Sequence, residues 1–247
     1  MNKLLFLALI IFVIFNANAQ ETKSIIVKTS QTIEEFEVLK HNKKVKNGAY
    51  LKKTIREDRV VAKGQFINNK KIGVWDFFDF RTGDLEQRFD FDRNKCLFLN
   101  LESSEQNHFI QNGEWILEKL DTIPVVIGGL SNLKLDLIDE AYKCTEKALY
   151  MNSSIADQFP KAGFAIFSFV VTKSGEAKNF KILLSSGNTF EDELLKIIED
   201  TRNDWLPGIY KRETVDTEFL IPMYVKYIVN TKIEKLYTID FDYPKIE

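Results

Sequence analysis

Residues 163–227 constrain the fold more than any other stretch, because their apolar spacing changes period in a fixed order. The block reads strand, turn, strand, helix, Trp205-Leu206-Pro207-Gly208, strand. Phe164, Ile166 and Val170 share one side of an extended segment, and Ala165, Phe167, Phe169 and Val171 the other. With both sides mostly apolar, the pattern predicts a strand buried on both faces. Thr172-Lys173-Ser174-Gly175-Glu176 is a polar break in which Gly175 can take positive φ. Phe180, Ile182 and Leu184 then mark a half-buried strand, completing an antiparallel hairpin.

Ser185-Ser186-Gly187-Asn188 ends the hairpin, and Asn188 with Glu191 has the spacing of a helix capping box. Glu191, Asp192 and Glu193 fall in the first helical turn, where the helix dipole favours negative charge. Phe190, Leu194, Ile197 and Ile198 line one helical face, which predicts packing on the sheet. Pro207 and Gly208 stop any continuation. In the last strand, 215–227, the odd positions Val215, Phe219, Ile221, Met223, Val225 and Tyr227 are apolar, apart from Thr217. Pro222 has no amide hydrogen, so this strand is expected at a sheet edge or with a bulge.

This order resembles the C-terminal domain of the TonB family, over residues 124–227. The matching pieces are Pro124-Val125-Val126-Ile127-Gly128-Gly129, the 163–171 strand, the Ser174-Gly175 turn, Trp205-Leu206-Pro207-Gly208 and Ile221-Pro222. The chain departs from the family in a longer 142–161 segment. Phe159-Pro160 stands for the usual Tyr-Pro, and Lys211-Arg212-Glu213 follows Pro207-Gly208 where a further Gly is common. The resemblance implies a periplasmic binding module without catalytic chemistry. Its last strand would accept a partner's extended segment, with Glu218, Phe219, Ile221, Met223 and Val225 as the contact residues.

A second pattern lies upstream. Gly48-Ala49-Tyr50 is followed by Gly64-Gln65-Phe66-Ile67-Asn68-Asn69-Lys70-Lys71-Ile72-Gly73-Val74-Trp75, then Phe77-Phe78, Gly83 and residues 89–95. This is similar to the MORN-type repeat, with Asn69 where Gly is usual. Gln111-Asn112-Gly113-Glu114-Trp115 either closes that series or begins the lead-in to the next domain. Hairpins of this kind bury their aromatics against neighbours, so Tyr50, Phe66, Trp75 and Phe77 are expected in a core. Residues 21–46 are expected to hold a short strand around Ile25-Ile26-Val27, a helical turn with Ile33 and Phe36, and a solvated loop from Lys40 to Lys46.

Upstream of all this, Lys3, the apolar run 4–15 and Ala17-Asn18-Ala19 have the form of a cleavable signal peptide. The run falls short of the roughly 20 residues a membrane span needs, so no stable transmembrane anchor is expected. Export permits disulfides, and Cys96 and Cys144 are read either as a bridge or, preferentially, as two buried thiols. Net charge is −2 at pH 7, which gives no electrostatic case for nucleic acid.

Catalytic patterns do not emerge. His41 and His108 have no neighbours to complete a relay or a metal site. Asp79, Asp84, Asp90 and Asp92 do not follow the spacing of a calcium loop. No cofactor or metal is implied. The fold expected is α+β in two domains: an N-terminal β-hairpin repeat array, then a TonB-like antiparallel three-stranded sheet packed on helices. Boundaries fall at 1–19 for the signal peptide, 20–46 for the lead-in and 47–120 for the repeats. The TonB-like domain covers 121–230, and the tail 231–247 adds a strand or wraps the sheet edge.

The function expected is that of a non-catalytic periplasmic or cell-envelope protein, exported, binding an envelope protein or receptor peptide and linked to outer-membrane transport. The alternative is a structural envelope or peptidoglycan-binding scaffold. Energy transduction itself would need a retained anchor and a long Pro-rich arm, whereas this chain has 5 prolines. A homodimer through the final strand or the tail is a further expectation, since edge strands invite self-pairing.

Overall fold

The computed structural model describes residues 21–100, 107–111, 113–151, 162–186, 191–229 and 235–240. The signal peptide, the Asn188 cap and Phe190 therefore lie outside the described residues. Among the described residues the chain is predominantly β, with two helices. This corrects the expected α+β arrangement of a three-stranded sheet on helices: both large sheets are seven-stranded.

The first sheet is a meander in sequence order. Its strands are β1 (Thr22–Lys28), β2 (Thr32–Leu39), β3 (Asn42–Thr54), β4 (Val60–Ile67), β5 (Lys70–Phe78), β6 (Leu85–Asp90) and β7 (Lys95–Leu99). Short turns hold the register. Between β4 and β5 a two-residue loop puts Asn68 and Asn69 at φ of 49° and 67°, and Ile67 pairs with Lys70. Two successive left-handed residues match the twist of a hairpin, and Asn tolerates that conformation. The expected helical turn at Ile33 and Phe36 is instead strand, and of the expected loop at 40–46 only Lys40 and His41 form a turn, the rest being strand. Ile33 pairs with Lys53 and Phe36 with Tyr50, so an i,i+3 apolar spacing was resolved by cross-strand pairing rather than by helix. Tyr50, Phe66, Trp75, Phe77 and Phe89 pack as this sheet's aromatic cluster.

The second sheet runs β12-β11-β15-β8-β9, with β14 and β16 also on β15. Here β8 is Asn107–Gln111, β9 Glu114–Glu118, β11 Ala162–Val171, β12 Ala177–Ser185, β14 Gly208–Tyr210, β15 Glu213–Val229 and β16 Lys235–Asp240. A two-stranded pair, β10 (Val125–Val126) with β13 (Trp205–Leu206), accompanies it. The β8–β9 hairpin, read from sequence either as closing the repeat series or as leading into the next domain, belongs to this second sheet. The tail contributes β16 as a further strand.

Helices α1 (Leu130–Met151) and α2 (Glu191–Asp200) cover one face of the second sheet. Leu133 and Leu137 of α1 and Leu194 and Ile198 of α2 meet Phe167 and Phe169 of β11 and Ile221 of β15. Glu191 is buried and accepts a hydrogen bond from Ser185, tying the start of α2 to the end of β12. Trp205 closes this core, its indole donating to Thr201 Oγ1 at 3.0 Å and its ring 5.0 Å from both Phe169 and Phe219. Gly175 has φ +83°, and a Cβ there would lie 2.4 Å from the Trp205 carbonyl oxygen. Both facts require glycine at that turn. β11 is less enclosed than its sequence implies: Ala165, Phe167, Phe169 and Val171 are buried, while Phe164, Ile166 and Val170 stay half-exposed on the uncovered face.

The two sheets are joined through polar contacts around α1. Glu86 of β6 accepts from the backbone N–H of Leu130 at 2.8 Å and from Ser131, satisfying amides that the helix itself leaves open. Gln87 receives the Gly128 N–H at 2.8 Å and donates to the Val126 carbonyl at 3.2 Å. Asp139 of α1 accepts from Thr29, Ser30 and the Gln31 N–H in the β1–β2 turn.

Candidate functional site

The stretch named by the sequence is β15, and its position differs from expectation. β15 is the central strand of its sheet rather than an edge. One side pairs with β11 from Lys226 to Thr217 without a register shift. The other side is shared: β14 takes 213–215, β8 takes 216–217, and β16 takes 224–229. Between them, residues 218–223 pair only with β11 among the described residues.

The continuous ladder through Ile166↔Pro222 fixes which way the backbone faces. Pro222 has no N–H to give, so an unbroken ladder with β11 requires that its nitrogen point away, into the 218–223 gap. Backbone orientation repeats every second residue, so Glu218 and Leu220 also turn their N–H and C=O groups to the gap. Pro222 thus falls where the missing donor leaves the ladder intact.

Side-chain direction follows the same parity. Phe219, Ile221 and Met223 point into the helix-covered core and are nearly inaccessible. Glu218 lies on the uncovered face, accepting from Ser168 Oγ at 2.7 Å, with Lys181 Nζ at 3.9 Å. The backbone of Val225 is paired on both sides, with Gly163 and Ile239. Of the five expected contact residues, Glu218 alone presents a surface side chain in the gap. Leu220 and Pro222 join it there, and sequence reasoning passed over both. Their signal was available: once the odd positions are apolar and core-facing, the even positions must form the exposed face.

That face is broadly apolar. Leu184, Ile166 and Pro222 are aligned across β12, β11 and β15 by the register. Leu220 is 38% exposed, and Trp115 of β9 and Leu184 of β12 are each more than half exposed.

Residues set aside as chemical candidates have structural duties. Asp79 accepts from the N–H groups of Arg81 and Thr82 and from Ser131 Oγ, and Asp90 from those of Asp92 and Arg93. His41 is exposed in the β2–β3 turn. The side chains of His108 and Cys144 lie outside the described residues. Cys96 is a free thiol whose S–H donates to the Phe98 carbonyl, and burial pushes its pKa up. Among the described residues no group of His, Cys, Asp and Glu could hold a metal ion, and no helix is long and apolar enough to cross a membrane. No family model matches the chain, and neither a curated protein nor a solved structure matches it significantly.

Proposed function

We propose that this chain is a non-catalytic, exported cell-envelope protein that holds an extended segment of a partner by strand addition beside β15. The observation that carries this reading is the 218–223 gap between β8 and β16. A strand backbone unpaired on one side accepts another strand, whose hydrogen bonds supply affinity while alternate side chains supply selectivity. The gap offers the amide of Leu220 and the carbonyls of Leu220 and Pro222. It spans roughly 20 Å at about 3.3 Å per residue. The partner's outward side chains would rest on Leu220, Pro222 and Ile166, so an alternating apolar segment suits it. The resemblance of residues 124–227 to the TonB C-terminal domain supports the same reading, as does the leader at 1–19 with its implied export.

Leu220→Pro tests it, because proline there removes a gap-facing donor and spares the ladder with β11. Retention of envelope proteins on immobilised wild type is expected to be lost in the variant. Hydrogen exchange supplies the second arm: the Leu220 amide is expected to exchange quickly in the isolated protein. Unchanged retention, or strong protection of that amide without a partner, refutes the proposal.

A further inference from the structure

A cleft of about 340 Å3 lies where the first sheet meets α1 and the end of α2. That is at the small end of the roughly 300–1,000 Å3 typical of ligand sites. The sheet wall brings Lys46, Lys52 and Lys71 over an aromatic floor, and Glu34, Asp136 and Asp204 complete the charged lining. The charges balance in number, but their pairing is unequal. Lys52 closes on Asp136 at 2.8 Å, and Lys46 sits 3.7 Å from Glu34. Among the described residues, Lys71 and Asp204 close no ion pair, although Asp204 is near enough to act on the Lys71 charge. Both remain exposed at the cleft mouth.

Lys71 is nevertheless held in place. Its ammonium lies 5.2 Å from the ring centres of Trp75 and Phe91 and 5.8 Å from that of Phe77. Ring faces attract a cation without neutralising it. The Asp204 backbone is fixed by its carbonyl accepting from the Ile127 N–H and its own N–H donating to Thr201. One positioned ammonium and one carboxylate carried on a fixed backbone therefore face the same cavity, neither closing an ion pair among the described residues.

We propose that the cleft binds a small zwitterion, a free amino acid or a dipeptide. Its carboxylate meets the ammonium of Lys71, its ammonium meets the carboxylate of Asp204, and its side chain lies against Phe66, Phe77 and Leu133. An anion alone would pair Lys71 but add repulsion to Asp204, and a cation alone would do the reverse. Crowding by the cleft walls lowers the Lys71 pKa, opposed by Asp204 and Asp136 and reinforced by Lys52 and Lys46. The same cause raises Asp204, opposed by Lys71. A bound zwitterion would counter both shifts.

The experiment is calorimetric titration of the full chain with leucine, leucyl-leucine, N-acetyl-leucine and leucinamide. Leucine or the dipeptide is expected to bind. The acetylated compound, which lacks the ammonium, and the amide, which lacks the carboxylate, are each expected to bind about tenfold or more weakly. Lys71→Gln and Asp204→Asn should each weaken the zwitterion by a similar factor, with near-ultraviolet circular dichroism confirming an intact core. No binding of either zwitterion overturns the proposal. So does equal binding of the blocked compounds, or wild-type affinity in both variants.

Discussion

Gly64→Ala should destabilise this protein, and the reason lies in Trp75 rather than in the glycine backbone. Gly64 does not have a left-handed φ. On backbone grounds alone, alanine would stabilise by about 0.4–1 kcal/mol through the unfolded chain. A Cβ at 64, however, would lie 2.2 Å from Trp75 Cδ2 and 2.3 Å from Cε2, more than 1 Å inside ordinary contact at 3.4 Å. The indole cannot easily withdraw. Its N–H is shared between the carbonyls of Gln65 and Ile72, each at 3.2 Å, and its ring centre is 5.0 Å from Phe66 and 5.2 Å from Tyr50. Overpacking of this kind costs about 1–3 kcal/mol, so after the backbone gain a net loss of about 1 kcal/mol is expected. At about 2–4 °C per kcal/mol for a chain of this size, Tm falls by about 2–4 °C.

A double-mutant cycle isolates the cause. Trp75→Leu alone opens a cavity at a fully buried position and should cost about 2–4 kcal/mol. With the indole gone, adding Gly64→Ala should be neutral within about 0.5 kcal/mol or slightly stabilising, a coupling of about 1–2 kcal/mol. Urea unfolding with matched m-values measures all four corners. An alanine cost that is equal in both backgrounds, or absent from the wild type, would show that Trp75 does not dictate the glycine.

Two further outcomes follow from the charges. The Lys52 side chain is 7% exposed and Asp136 54%, so Asp136→Ala strands a buried ammonium and should cost about 1–3 kcal/mol, whereas Lys52→Met should cost less; the opposite order in urea melts counts against a buried-charge account. Arg88 bonds Asp76 and, opposed by burial, holds its carboxyl below the ordinary 3.8. A lowered folded-state pKa contributes stability above the unfolded value and loses it as pH falls through the folded one. The Tm gap between wild type and Asp76→Asn should thus be open at neutral pH and close below pH 3.8, and a gap constant down to pH 2 would refute it.

Local sequence carried the strands with strong apolar periodicity and lost those whose partners lie far along the chain. The 163–171 strand, its Gly175 turn and the α2 face were legible because each announces itself within about ten residues. β1 to β3 were not. Residues 21–46 mix charged and isolated apolar residues on both faces of each strand, and Ile33 with Phe36 mimics a helical spacing. The β8–β9 hairpin shows a different failure. Nothing local distinguishes a hairpin in the first sheet from one in the second. The choice is made by Phe109 and Ile110 pairing with Thr217 and Asp216, about a hundred residues away. For the candidate site, the strand was legible but the exposed side chains were misassigned. Phe219, Ile221 and Met223 are apolar because they build the core, and an apolar residue on a strand is weak ground for a contact.

Side-chain contacts cross the boundary near residue 120. The first turn of α1 is capped by Glu86 and its approach held by Gln87, both on β6. Asp139, further along α1, is held by the β1–β2 turn. A chain beginning at 121 would lose those partners and leave buried polar groups of the second sheet's own helix unsatisfied. It would also lose β8 and β9, exposing more of the β15 backbone. The two binding proposals divide along the same line. The 218–223 gap is built wholly within the second sheet, so substitutions at Lys71 and Asp204 should leave strand addition untouched. The zwitterion cleft has walls from both sheets' layers, so whatever loosens the Glu86 cap should weaken it before the β15 gap changes. The order in which those two activities fail along a series of junction variants reports whether the cleft depends on the seam between the modules.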